Sequence, residues 1–242
     1  MIIDFHAHLE RDPESKSYLV ADLDGDTRYN KLNLRLISAL EGKNVRSQNQ
    51  AVRELVQTNP DKYLGCAIVN PKEDDSIEQV LEIASQPEFR AIEFDSLEHG
   101  YLPEAQQQNI DEILKIAEGK QWVIKVFTGK GFQTIPGQWV FYSQRFPNLN
   151  FVFLHMGTND FGYNMIEQAA QHENIFMETS YQYELPILRK AFKRLPPERF
   201  IFGSNYPVNL TYASINVFNV LELPKATQRK LFYENAKRLL KL

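Results

Sequence analysis

The sequence predicts an α/β fold, a single (β/α)8 barrel, and three observations carry that prediction. Short β-rich runs alternate with segments of helical spacing along the whole chain. Eight such runs fit within 242 residues, a length that one closed barrel can use in full. The main alternative, an open doubly wound sheet, lacks its usual marks, because no GxGxxG follows the first run and no P-loop occurs.

The runs lie at about Ile2–His6, Leu32–Ala39, Tyr63–Val69, Arg90–Phe94, Trp122–Phe127, Asn150–His155, Ile175–Glu178 and Phe200–Gly203. Each is bounded by turn residues and rich in Val, Ile, Phe or Tyr. Between them, Ser47–Thr58 repeats apolar residues at Ala51, Leu55 and Val56, and Asp74–Ser85 does so at Ile77, Val80, Leu81 and Ala84. Asn109–Gly119 follows the same rule, with Gly119 expected as its stop. Helices are also expected over Gly137–Phe146, Phe161–His172, Glu184–Leu195, Thr211–Leu221 and Lys225–Leu240. Glu10–Asn30 is polar and rich in Asp, so it reads as a long loop at the active site that replaces the first barrel helix. With no repeat or linker visible, residues 1–242 form one domain.

Composition narrows the function. Hydrophobic residues make up 43% of the chain, enough for a large core. The single cysteine, Cys66, excludes an internal disulfide framework and a Cys-rich zinc module, and it reads as an inert strand residue. A formal net charge of −4 without a dense Lys/Arg stripe argues against nucleic acid as a partner. No apolar run approaches the roughly 18 residues of a membrane helix, and the first residues show no basic leader, so a soluble cytoplasmic protein acting on a small molecule is expected.

The chemistry concentrates in the histidines. His6 and His8 share one face of the first strand, at its C-terminal end, where barrel enzymes build their sites. Two imidazoles so spaced can share a metal ion or merely hydrogen-bond in a polar barrel mouth. His155 ends the sixth run above Phe151 and Phe153, which are expected to face inward with it. His99 lies in a loop, from which it reaches the barrel mouth or is solvated, and His172 at a helix end reads as a surface residue.

The segments DFHAHLE, AIVNP, FPNLNFVFLHMG, NIFMETS, RFIFGSNYP and FYENAKRLL run in order from the start to about Leu240. They resemble successive signatures of the amidohydrolase superfamily, and more narrowly the amidohydrolase-related group of metal-dependent hydrolases and nonoxidative decarboxylases. The resemblance implies a metal-bearing barrel holding a divalent ion, with zinc the first expectation. It places the strand-one HxH on His6 and His8, the strand-six His on His155, and the strand-eight ligand on Asn205. Barrels of this group are often dimers, so the resemblance allows a homodimer.

Two departures bear on the chemistry. The strand-eight position usually carries Asp, and an Asn205 amide takes up no proton at neutral pH. The strand-five position, often His, is Phe127. A catalytic zinc keeps three protein ligands, so His155, Asn205 and Glu93 are the candidates to complete the set with His6 and His8. Glu93 has a competing reading as the partner of Lys125, which alternation places beside it inside the barrel. Asp4 is expected inward, below His6, and Glu178 outward as a structural residue. Glu10 shares a face with His8 and is the candidate replacement base, while His155 and Asn205 are the other candidate catalytic residues. Arg11 and Arg28 on the same loop meet an anionic substrate or water, and Tyr181, Tyr183 and Tyr206 line a pocket or pack.

Three functions are therefore open. One is a metal-dependent hydrolase or lyase for a small carboxylated or cyclic amide or ester substrate. The second is a metal-free, lactonase-like or decarboxylase-like enzyme. The third is a barrel without catalysis that binds or scaffolds. Fold alone does not choose among them.

Overall fold

The structure, a computed structural model, describes residues 1–40 and 44–242. Eight parallel strands follow one another in chain order around a barrel: β1 Ile3–Glu10, β2 Leu34–Leu40, β3 Tyr63–Val69, β4 Phe89–Phe94, β5 Val123–Val126, β6 Phe151–Phe153, β7 Ile175–Glu178 and β8 Phe200–Ile201. Between consecutive strands lie α1 Val20–Tyr29, α2 Val45–Thr58, α3 Ser76–Ala84, α4 Gln107–Lys120, α5 Pro136–Arg145, α6 Thr158–Gln171 and α7 Leu185–Arg194, and α8 Thr211–Val220 follows β8. The seam between β8 and β1 is closed by the residues just after β8. Phe5 N–H donates to the Phe202 carbonyl at 2.9 Å, His8 N–H to the Tyr206 carbonyl at 2.7 Å, and Asn205 N–H to the His6 carbonyl at 2.7 Å.

Two expectations about the elements are overturned. The segment after β1 holds a helix, α1, where a loop was expected. Its acidic residues Asp22, Asp24 and Asp26 interrupt any apolar stripe, and only Leu23 and Thr27 are buried. Tertiary pairing holds it instead: Asp26 Oδ2 receives Arg35 of β2 at 2.5 Å, and Tyr63 of β3 donates to Asp24 at 2.5 Å. Gly119 does not stop α4; Gln121 does, in the left-handed conformation at φ 55°. The α2 start is capped by Asn44, whose side chain accepts the Ser47 N–H at 2.9 Å.

Two apolar layers result. Inside the cylinder lie Ile3, Phe5, Leu36, Cys66, Ala91, Val123, Val152, Leu154, Phe176 and Ile201. Ala236, Leu239 and Leu240 of the last helix join this cluster and stop one end of the barrel. The other face of each strand packs against the helices, with Ile37, Ala67, Ile92, Ile124, Phe151, Phe153 and Met177 among the residues shut off from water. Burying each such large side chain contributes roughly 1.5–3 kcal/mol.

This partition corrects three assignments of face. Phe151 and Phe153 point outward to the helices, and Val152 and Leu154 fill the interior. Asp4 also leaves the interior, to pair with Arg35 at 3.0 Å. A bulge in β1 explains it: Asp4 lies opposite Arg35 and Ala7 opposite Ile37, so three steps along β1 match two along β2. The extra residue puts both Phe5 and His6 on the inner side. Glu178 is the third correction: it follows Phe176 on the inner face of β7 and is fully buried.

Candidate active site

Above the apolar interior sits a polar layer made by the strand ends. The bulge in β1 turns His6 inward, and alternation adds His8. Their rings lie 4.6 Å apart, nearly perpendicular, and the His155 ring lies 5.2 Å from that of His6. Two distant parts of the chain thus bring three imidazoles together, with His6 in the middle. His155 reaches this place after β6 has ended, through a left-handed backbone at φ 61°.

The imidazoles are neutral. Burial lowers the His6 pKa well below its ordinary value, helped by Lys125 and the other two histidines. Burial also brings His8 to about 4, against the pull of Glu93, and His155 to about 3. Neither ring nitrogen of His6 has a hydrogen-bond partner among the described residues, although both are shut off from water. A buried neutral imidazole left unpaired is the state that a metal ligand needs.

Glu93 and Lys125 lie side by side on β4 and β5. Lys125 Nζ stands 2.8 Å from Glu93 Oε2, so the ion pair expected as one reading of Glu93 is formed. Ser38 Oγ donates to the same oxygen at 3.1 Å and sits 3.0 Å from His8 Nδ1. The Cys66 thiol faces it at 3.8 Å and is held protonated by burial. Burial alone would raise the Glu93 carboxyl, but Lys125, His8 and Ser38 together hold it below its usual range.

Across the barrel, Glu178 accepts three donors: Ser180 N–H at 2.6 Å, Ser180 Oγ–H at 2.7 Å and His155 N–H at 3.1 Å. Burial nonetheless raises its pKa to about 7. Room for this carboxylate comes from Gly203, since a Cβ there would overlap Glu178 Oε1 and come within 2.9 Å of His6 Cβ.

Two groups offer one ligand atom each within 4.8 Å of one another: His6, His8 and Glu93, and His6, His155 and Glu178. They share His6. The three imidazoles alone do not make such a group; a carboxylate completes each. Asn205 flanks the first group. Its side chain lies close enough to His8 to pull that imidazole's pKa up slightly, it donates from Nδ2 to Asn209 Oδ1 at 3.1 Å, and it holds φ 55°. Phe127, in the strand-five position, meets the His155 ring edge-on at 5.1 Å. Glu10 is half-buried at the end of β1, where its charge is felt by the Tyr206 hydroxyl. Tyr181 stands 5.9 Å from His155 with Lys130 Nζ over its ring at 4.6 Å, whereas Tyr206 covers Arg35. The Arg11 side chain donates to the Lys16 carbonyl within its own loop, at 2.6 Å.

Ser38, Glu178 and Ser180 did not stand out in the sequence. The signal for the last two was present as period-two spacing, Phe176, Glu178, Ser180, once Phe176 is taken as inward.

The amidohydrolase family model matches residues 3–242. The chain belongs to the amidohydrolase family. Solved structures of similar fold include the 5-carboxyvanillate decarboxylase of Sphingomonas paucimobilis, at TM-score 0.79 and 13% identity over 100% of this chain and 99% of that one. The 2,6-dihydroxybenzoate decarboxylase of Rhizobium matches at TM-score 0.79 and 14% identity, over 99% and 98% of the two chains. The 5-carboxyvanillate decarboxylase of Novosphingobium aromaticivorans, solved with manganese and 4-hydroxy-3-methoxy-5-nitrobenzoic acid, matches at TM-score 0.80 and 12% identity, over 100% and 96%. At these identities the likeness is one of fold. No curated protein matches the chain at a significant level. Among the described residues, no helix of this amidohydrolase-family chain is long and apolar enough to cross a membrane.

Proposed function

We propose that this amidohydrolase-family protein is a divalent-metal-dependent lyase that removes a carboxylate from a small carboxylated substrate, and that it does not hydrolyse an amide or ester. The observation that carries this reading is that, among the described residues, the polar groups in contact with the candidate metal ligands are already engaged or unable to take a proton from water. Asn205 takes no proton, Glu93 is engaged by Lys125, and Glu178 already accepts three donors. Decarboxylation needs no attacking water.

His6 and His8, with Glu93 in reach, are the residues that would hold the ion, and the free nitrogens of His6 fit that role. A bound divalent cation would anchor the substrate carboxylate and take up charge developing beside it. The chain's own groups do the rest. Phe127 and Tyr181 meet the buried His155 ring in aromatic contacts, and such a largely apolar wall favours release of neutral carbon dioxide. Asp95, one residue beyond β4, has its carboxyl raised to about 7, chiefly by burial and further by the charge of Glu93. It is the proton source: the carbon–carbon bond breaks, the electron pair stays on the substrate carbon, and the Asp95 proton replaces carbon dioxide there.

The test loads purified protein with zinc or manganese and follows carbon dioxide release from a panel of hydroxylated benzoates, alongside hydrolysis of lactones and amides. Metal-dependent carbon dioxide release, lost in His6→Ala and His8→Ala, is expected. Hydrolysis without decarboxylation overturns the reading.

One observation favours a second reading. Lys125 already places a cation beside Glu93 and the imidazoles, as a metal-free site would. Activity surviving exhaustive chelation selects it.

A further inference from the structure

Glu178 and Ser180 are absent from the reaction outlined above, yet both are fully buried against His155. The hydrogen bonds among them decide where the His155 proton lies. Nδ1 of His155 faces two atoms of Ser180: the carbonyl oxygen at 3.3 Å and Oγ at 2.9 Å. A carbonyl only accepts, so Nδ1 must donate. The hydroxyl agrees when Glu178 is the carboxylate, because its own hydrogen then goes to Glu178 Oε2 at 2.7 Å, which leaves Oγ to accept from Nδ1. Glu178 in turn is fixed by the Ser180 and His155 backbone N–H groups. Ser38 bridges Glu93 to His8 Nδ1 in the same order, but there no carbonyl decides the side of the proton.

We infer that Glu178 and Ser180 are positioning residues that lock His155 in the Nδ1–H tautomer, so that its lone pair lies on Nε2, the nitrogen left to meet substrate or metal. The assignment deepens the lyase reading, since it rests on His155 belonging to that site, but the tautomer is a property of the resting protein. Ring orientation is set at the same time. The left-handed backbone at His155 places its own N–H on Glu178, so one carboxylate holds the main chain directly and the imidazole through Ser180. Sequestering the hydroxyl hydrogen is the part a purely structural carboxylate would not need to perform.

The experiment is nuclear magnetic resonance of the full chain labelled with 13C and 15N in histidine, without metal or substrate, at alkaline pH where Glu178 is the carboxylate. The His155 signals are identified by their loss in His155→Gln. The Nδ1–H form is expected to exceed the other by about tenfold or more, as one retained hydrogen bond would give. A dominant Nε2–H form overturns the inference outright, and that measurement needs no variant at the relay. In Glu178→Leu the Ser180 hydroxyl loses its acceptor and is free to donate to Nδ1, so the Nε2–H fraction should rise several-fold; an unchanged ratio in a folded variant also overturns the role of Glu178. Ser180→Thr keeps the hydroxyl and should keep the wild-type ratio, and a ratio that moves as in Glu178→Leu counts against the relay. Failure of carbon dioxide release with the tautomer as stated would remove the lyase reading and leave this one standing.

Discussion

Lys125 Nζ lies 2.8 Å from Glu93 Oε2 in a layer where neither side chain meets water. The pair is held on adjacent strands whose register places the two residues opposite each other, so it is set by the backbone of the barrel rather than by chance side-chain conformations.

Removing one partner exposes the dependence of the other. Lys125→Met leaves Glu93 as a buried carboxylate with only Ser38 and Cys66 to donate to it. The expected loss is about 3–5 kcal/mol in a urea titration. Adding Glu93→Gln to Lys125→Met should recover most of it. A single variant as stable as wild type would show that the pair carries no such burden.

Phe127 and Asn205 each abut an imidazole, one edge-on to His155 and the other beside His8. Phe127→His with Asn205→Asp therefore adds two ligand types beside groups already in place. Zinc and manganese affinity by calorimetry should rise at least about tenfold, the scale on which partners of metal ligands act. No change would mean that the pocket is built for something other than a mononuclear ion.

Gly203 has no space for a methyl group, because Glu178 and His6 occupy it. Gly203→Ala should destabilise by about 1–3 kcal/mol through overpacking. It should also shift the His6 resonances, since His6 Cβ is the nearest part of that imidazole.

Asp95 gives the pH test. Its carboxyl is raised from 3.8 in an open chain to about 7 in the fold, chiefly by burial, while its oxygen accepts the Leu97 and Glu98 N–H groups at 3.0 and 2.9 Å. Between those two values the folded state holds more protons than the unfolded one. The contribution to stability is therefore fully present at low pH and lost as pH rises through about 7. Asp95→Asn keeps the acceptor and cannot ionise. Relative to wild type it should gain stability between pH 5 and pH 8, by something of order 2 kcal/mol after allowing for partial exposure to water. A difference that is flat with pH would refute the assignment. Loss of carbon dioxide release in the same variant is expected if Asp95 is the proton source.

The strands were legible because each is a short apolar run between turn residues, and Tyr63–Val69 and Ile175–Glu178 appear with the same bounds in sequence and structure. Helix α1 was not, because it is held by an ion pair to Arg35 of β2 and a hydrogen bond from Tyr63 of β3 rather than by an apolar stripe. That His6 and His8 share a face, and that Glu93 pairs with Lys125, could be read from alternation alone. Alternation failed for Asp4, where a bulge adds a residue, and for His155, which arrives after the strand has ended. It failed for Glu178 because Met177, the more apolar neighbour, faces the helices rather than the interior. Nothing local to Ser38 or Ser180 marks either as the bridge between a carboxylate and an imidazole. That role exists only once the barrel has closed.

The closing seam joins the first strand to residues nearly two hundred positions away, and the His6 carbonyl is itself one of the stitches. A chain emerging from synthesis therefore carries His6 and His8 well before it has a pocket. The pocket comes into being only when the final segment returns to the beginning, so any fragment that lacks the last strand should be inert however well its remaining helices form.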